Sequence, residues 1–125
     1  MNSLKIKGYA GSVPEIVFDG ETGNLTISGD SCPEDVLVFF ENLYNWLYDY
    51  IEIVQGAISL TINLRYFNTS SSRGLFRILT ILKSYLDAGG AVDVTWHYDE
   101  DDTDTYDEIV DMSEEANIAI LKVPY

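Results

Sequence analysis

Asn68, Thr69, Ser70, Ser71 and Arg73 bring a carboxamide, hydroxyls and a guanidinium into one short stretch, YFNTSSSRG (Tyr66–Gly74). Ahead of it an apolar alternation reads as a strand. Behind it Leu75, Ile78, Leu79, Leu82 and Leu86 recur at helical spacing, so Thr69 is expected on a strand-to-helix turn. The first backbone N–H groups of a helix have no partner within it, and with the macrodipole they favour an anion. A hydroxyl at that point is a natural place to attach phosphate. Helix capping accounts for the same residue types, since Asn, Thr and Ser are preferred N-caps, and both readings stand on residue type alone.

Other chemistry has weaker footing. The acidic run DEDDTD (Asp99–Asp104) offers hard oxygen ligands suited to calcium or magnesium. An EF-hand loop counted from Asp99 would put Asp104 where Gly is required and Val110 where a bidentate Glu is required. A solvated loop is the expected reading. His97 is the sole histidine and Cys32 the sole cysteine, which leaves no donor set for a structural zinc site and no intramolecular disulfide. Asp30, Glu34 and Asp35 surround Cys32 with negative charge, a setting unsuited to thiolate chemistry. No GxSxG elbow supports a hydrolase and no GxxxxGK[ST] loop supports a nucleotide hydrolase; Gly89 and Gly90 follow a helix instead of leading into one. No catalytic, cofactor-binding or metal-binding residue is therefore assigned.

The elements that would hold Thr69 in place are readable from periodicity. Glu15–Asp19 and Leu25–Ser28 alternate around Gly20–Asn24 and predict a β-hairpin, with Lys5–Tyr9 as a candidate edge strand. Gly29–Pro33 then breaks the pattern, which places a helix N-cap at Ser31 or Cys32. Val36, Phe39, Phe40, Leu43, Trp46, Leu47, Tyr50, Ile51 and Val54 form the apolar face of a long helix ended by Gly56, with Tyr44 and Tyr48 on another face. Ala57–Phe67 predicts the longest strand, burying Ile58, Leu60, Ile62, Leu64 and Tyr66. A helix from about Ser71 to Ala88 and a strand over Ala91–Tyr98 follow, an order that calls for a parallel crossover. Beyond the acidic loop a short helix around Tyr106–Met112 and a strand over Ile118–Val123 are expected.

Composition bounds the partners. The 125 residues suit a single domain, and 21 acidic against 7 basic residues give a net charge of -14. Repulsion from phosphate polymers and anionic lipid disfavours nucleic acid and membrane surfaces as partners. No apolar run is long enough to span a bilayer, and MNSLKIKGYAG lacks the pattern of a secretory leader. A cytoplasmic protein is the expectation, and the sequons at Asn24 and Asn68 count as chance matches.

YFNTSSSRG, with GDSCPED (Gly29–Asp35) and TWHYDED (Thr95–Asp101), resembles the SiaC family of bacterial regulatory phosphoproteins, relatives in fold of the STAS domains of anti-sigma factor antagonists. The resemblance implies one α/β domain over residues 1–125, a STAS-like mixed β-sheet with helices packed mainly on one face. It implies a phosphoacceptor at Thr69, with Asn68, Ser70, Ser71 and Arg73 around it as partner surface. It also implies a Ser/Thr protein kinase of the anti-sigma-factor-kinase type, a PP2C-type phosphatase, and a diguanylate cyclase activated by the unphosphorylated form, linking the switch to cyclic di-GMP and biofilm behaviour. Cys32 stands where an aromatic often precedes the Pro-Glu pair, and His97 replaces an aromatic in the WxYD segment. Asn68-Thr69 replaces the Asp-Ser pair of the anti-sigma factor antagonists, which favours the SiaC branch. The expected function is that of a non-enzymatic signalling switch. A constitutive interaction module and a metal-dependent hydrolase built on residues 99–104 are the competing readings.

Overall fold

The computed structural model describes all 125 residues. Three strands open the chain: β1 (Leu4–Ile6), β2 (Glu15–Phe18) and β3 (Asn24–Ser31). Helix α1 (Val36–Asp49) runs into a π-helical turn (Tyr50–Val54), and three further units follow: β4 (Ile58–Phe67) with α2 (Thr69–Asp87), β5 (Val92–Tyr98) with α3 (Thr103–Ala116), and β6 (Leu121–Pro124). The strands lie side by side in chain order. β1–β2 and β2–β3 are antiparallel, whereas β3–β4, β4–β5 and β5–β6 are parallel, each parallel step crossing over through one helix.

One face of this mixed sheet is covered and the other is open. Ile16, Phe18, Leu25, Ile27, Ile58, Leu60, Ile62, Leu64, Val94 and Trp96 are buried beneath the helices. The alternate positions, among them Thr26, Thr61 and Thr95 in direct register, are exposed or half-exposed. The period-2 pattern of each strand thus sorts its residues between core and solvent. α1 packs on α2 and α2 on α3, closing the helical layer.

Several expected boundaries shift, for reasons of tertiary pairing. β3 does not stop at Ser28: parallel pairing with β4 carries it to Ser31 through a bulge, Gly29 facing Leu64 and Asp30 facing Tyr66 with Arg65 skipped. Gly29 takes φ 95° there, a left-handed backbone that glycine adopts without Cβ strain. The same bulge shifts the alternation of β4, so Tyr66 is 54% exposed and Phe67 instead packs on Trp96, ring centroids 5.7 Å apart. α1 is capped by Asp35, whose carboxylate accepts from Val38 N at 3.2 Å, and not by Ser31 or Cys32, which belong to or adjoin the extended β3. Gln55, in the left-handed region at φ 56°, ends the π turn one residue before Gly56. The open acidic connection covers only Asp99–Asp102, since Asp102 caps α3 through Thr105 N (3.0 Å) and Thr103 and Asp104 are already helical. Ile118 and Ile120 are core residues just ahead of β6.

The candidate phosphoacceptor turn and its two clefts

The turn between β4 and α2 is built by Asn68. Its backbone is extended (φ -86°, ψ 175°), and its side-chain oxygen accepts from Ser71 N at 2.8 Å, the N-cap arrangement. The backbone Ser72 N–H then donates to Asn68 O at 2.9 Å, the first bond of the helical ladder. α2 therefore begins at Thr69, two residues earlier than its apolar spacing suggests. Asn68 is itself anchored, its backbone N–H donating to Ser31 O (3.1 Å) and its Nδ2 to Cys32 Sγ (3.1 Å). Cys32 thus accepts from the cap residue.

The four consecutive hydroxyls have four different surroundings. Thr69 is exposed and its hydroxyl makes no hydrogen bond within the chain. Ser70 is exposed on the side toward α1. Ser71, grouped from sequence with the partner surface, turns inward: at 0% exposure its Oγ donates to Ser31 O and accepts from Ser31 Oγ, both at 2.8 Å. Capping and helix register force this, because the third residue of α2 faces the sheet. It is a strut of the turn and offers no surface. Ser72 donates to Glu108 Oε2 at 2.9 Å, tying α2 to α3.

A second buried polar contact lies beside Ser31. Asp30, 4% exposed, accepts from Gly11 N (2.7 Å) and from Arg65 Nε (3.0 Å). The Arg65 guanidinium, helped by the Gly11 amide, holds the Asp30 carboxyl below the usual carboxylate range. The alternation of β4 places Arg65 on the open sheet face; it also secures the bulge that feeds β3 into the site.

Two clefts flank Thr69. Toward α1, Val36, Leu37, Phe40 and Tyr44 with Ser70, Arg73 and Gly74 line an apolar cleft. Leu37 is 79% exposed at its rim, next to exposed Val38. Tyr44 forms part of its wall, donating its hydroxyl to Gly74 O at 3.0 Å, and burial pushes that phenol up from its ordinary value. Tyr48 is exposed and accepts from Arg77 Nη2 at 3.2 Å. Toward α3, Thr69, Ser72, Arg73 and Phe76 line a groove with Glu108, Asp111 and Glu115. Arg73 borders both clefts and joins neither of the chain's ion pairs, Arg65–Asp30 and Lys83–Asp87. Ser31, Phe40, Gly74 and Glu108 are structural partners of the site that no local signal ties to Thr69, since each arrives from a distant element or from the helix interior.

The remaining candidates stay apart from this turn. His97 is half-exposed on β5, and no group of three or more His, Cys, Asp or Glu side chains gathers in a metal-holding arrangement, in residues 99–104 or elsewhere. No helix is long and apolar enough to cross a membrane.

Comparison with known proteins gives a consistent result. Residues 6–124 match the model of the SiaC family regulatory phosphoproteins. The chain is 34% identical over 99 residues to an uncharacterized protein of Pseudomonas aeruginosa (strain UCBPP-PA14), covering 79% of this chain and 78% of that one. It superposes on apo-SiaC of Pseudomonas aeruginosa with a TM-score of 0.89 at 28% identity, over 98% of this chain and 99% of that one. With a chain from the crystal structure of the diguanylate cyclase SiaD in complex with its activator SiaC, also from Pseudomonas aeruginosa, the TM-score is 0.91 at 28% identity, over 98% and 99% of the two chains. Family match and fold agree across nearly the whole length, and the chain belongs to the SiaC family of regulatory phosphoproteins.

Proposed function

We propose that this chain is a non-enzymatic switch in which Thr69 is the phosphoacceptor and the unphosphorylated form binds and activates a diguanylate cyclase. The observation that carries the reading is the contrast among four adjacent hydroxyls: Ser71 and Ser72 are engaged, Thr69 and Ser70 are exposed, and of these two Thr69 is first in the helix and borders the groove that Arg73 lines. A Ser/Thr kinase of the anti-sigma-factor-kinase type transfers the γ-phosphoryl group of ATP to Thr69 Oγ1, the hydroxyl proton leaving to the kinase or solvent. A PP2C-type phosphatase reverses the step by hydrolysis. The chain supplies the acceptor and no catalytic group.

A phosphate brings about -1.5 to -2 charge and three acceptor oxygens. Long-range repulsion from the net charge of -14 is screened beyond about 8 Å in physiological salt, while the first-turn amides of α2 that the Asn68 cap leaves over are local. The fold is expected to tolerate the modification, and a partner seated over Thr69 is expected to be displaced. That a related SiaC is the activator of a diguanylate cyclase supports the choice of partner. The exposed apolar residues Leu37 and Val38 beside the acceptor suit such a contact.

The test is phosphate incorporation from ATP by the cognate kinase into the wild-type chain and Thr69→Ala, followed by cyclase binding of each form. Incorporation is expected to vanish in Thr69→Ala, and phosphorylation is expected to weaken binding. Undiminished incorporation in the variant removes Thr69 from the role. Equal cyclase binding by both forms would instead indicate a constitutive interaction module.

A further inference from the structure

We infer that Arg73 is the residue through which a phosphate on Thr69 is read inside the chain: the phosphate draws the guanidinium into the α2–α3 groove and away from the α1–α2 cleft, of which Arg73 is the one cationic lining residue. The inference rests on the reading of Thr69 as acceptor and adds how the modification reaches the neighbouring surface.

Three observations support it. Thr69 and Arg73 stand four residues apart on α2, which puts their Cβ atoms about 5–6 Å from each other on one face. Both line the same groove, and Arg73 alone also lines the apolar cleft, so its side chain stands on the ridge between them. It is exposed and holds no carboxylate, although Glu108, Asp111 and Glu115 border the groove, so no existing ion pair must break for it to move. Those three carboxylates are the charged groups that α3 presents there, while α1 lines its cleft with uncharged residues only.

Chemistry decides the direction of the response. Guanidinium matches phosphate bidentately and is weakly hydrated, so a phosphate competes well for it. The α3 carboxylates repel the dianion and leave Arg73 as the one cation lining the groove. The hydrogen bond from Ser72 to Glu108 lies directly beside the new charge and is expected to loosen as Glu108 is pushed away. Before modification, the α1–α2 cleft with Arg73 at its edge fits an apolar side chain accompanied by a carboxylate. After modification that carboxylate meets an apolar cleft whose counter-charge is engaged elsewhere.

Encoding phosphothreonine directly at position 69 separates this from the action of any kinase. The readout is the second ionisation of the phosphate, followed by phosphorus NMR across pH 4–8, with the Arg73 Nε–H resonance as a second signal. Because a nearby cation favours the dianion, Arg73→Gln is expected to raise that pKa by a few tenths to about one unit. Arg73→Lys is expected to fall between the two, since it keeps the charge and loses the fork. Neutralising α3 as Glu108→Gln, Asp111→Asn and Glu115→Gln together is expected to lower it. An unchanged phosphate titration in Arg73→Gln, or an Arg73 Nε–H signal that ignores phosphorylation, overturns the inference. Failure of a kinase to modify Thr69 would instead count against the proposed function, and the two failures are read in different experiments.

Discussion

Gly74 sits in the interior of α2, where glycine normally costs about 1 kcal/mol relative to alanine. Propensity alone therefore predicts that Gly74→Ala stabilises the protein by that amount. Packing predicts the opposite. A Cβ at position 74 would lie 2.6 Å from both Cγ and Cδ2 of Phe40 and 2.7 Å from its Cδ1. Carbon atoms rest about 3.5–4.0 Å apart, so the ring or the helix must move by about 1 Å. Phe40 has little freedom to do so, being buried between Phe39 and Tyr44 at centroid distances of 5.4 and 6.2 Å. Overpacking of this kind costs about 1–3 kcal/mol, which after the propensity gain leaves a net loss of about 0–2 kcal/mol. At about 2.1 cal/mol/K of unfolding entropy per residue, a loss of 1 kcal/mol lowers Tm by about 4 °C for 125 residues.

The sign is tested in a second background. Phe40→Ala removes all three clashing atoms, whereas leucine would retain Cγ and both Cδ carbons; the truncation costs about 3–5 kcal/mol by itself, within the usual stability margin. Gly74→Ala added to Phe40→Ala is then expected to stabilise by about 1 kcal/mol, the helix-propensity difference alone. Urea unfolding of the four proteins gives the coupling directly. Stabilisation of the wild type by Gly74→Ala, or the same destabilisation in both backgrounds, refutes the idea that the ring holds this position to glycine. Because Gly74 and Phe40 both line the α1–α2 cleft, the same substitution is expected to weaken any partner that uses it.

Asn68→Ala is expected to cost about 1 kcal/mol by uncapping α2, while Asn68→Asp keeps the cap oxygen and stays within about 0.5 kcal/mol of wild type in urea unfolding. Equal losses would mean that the Nδ2 contact to Cys32, which aspartate lacks, stabilises the turn more than the cap does. Asp30 makes stability depend on acid: its carboxyl is lowered from 3.8 by the Arg65 and Gly11 hydrogen bonds. Its contribution is complete above that ordinary value and is lost as pH falls through the lowered folded one. The gap between wild type and Asp30→Asn, measured by urea midpoints from pH 6 to pH 2, is expected to narrow as pH falls, and a constant gap would contradict the linkage.

Much of the fold was legible along the chain. Alternation in Ile58–Leu64, helical spacing in α1 and α2, and the strand–helix–strand order predict a mixed sheet with parallel crossovers, and the sheet has that form. These signals are local, because a half-buried strand or helix writes its period into its own residues. The turn that carries Thr69 was legible for the same reason: an Asn-Thr-Ser run between a strand and a helix names its own position. What local chemistry misjudged was where elements stop. β3 looked finished at Ser28, but pairing with β4 extends it through the bulge to Ser31, and that extension places Ser31 Oγ against Ser71.

By itself, then, the order of residues determined that Thr69 lies on the turn between a long strand and a helix. It also determined that most of the sheet's inner face is apolar, since each depends on neighbours a few positions away. Tertiary structure decided which two of the four adjacent hydroxyls are engaged. Ser31 reaches Ser71 across forty residues and Glu108 reaches Ser72 across thirty-six, separations over which periodicity carries no information. It also decided that Arg73 stands between an apolar and an acidic cleft, because those walls belong to α1 and α3, which meet α2 only when the helical layer closes over the sheet.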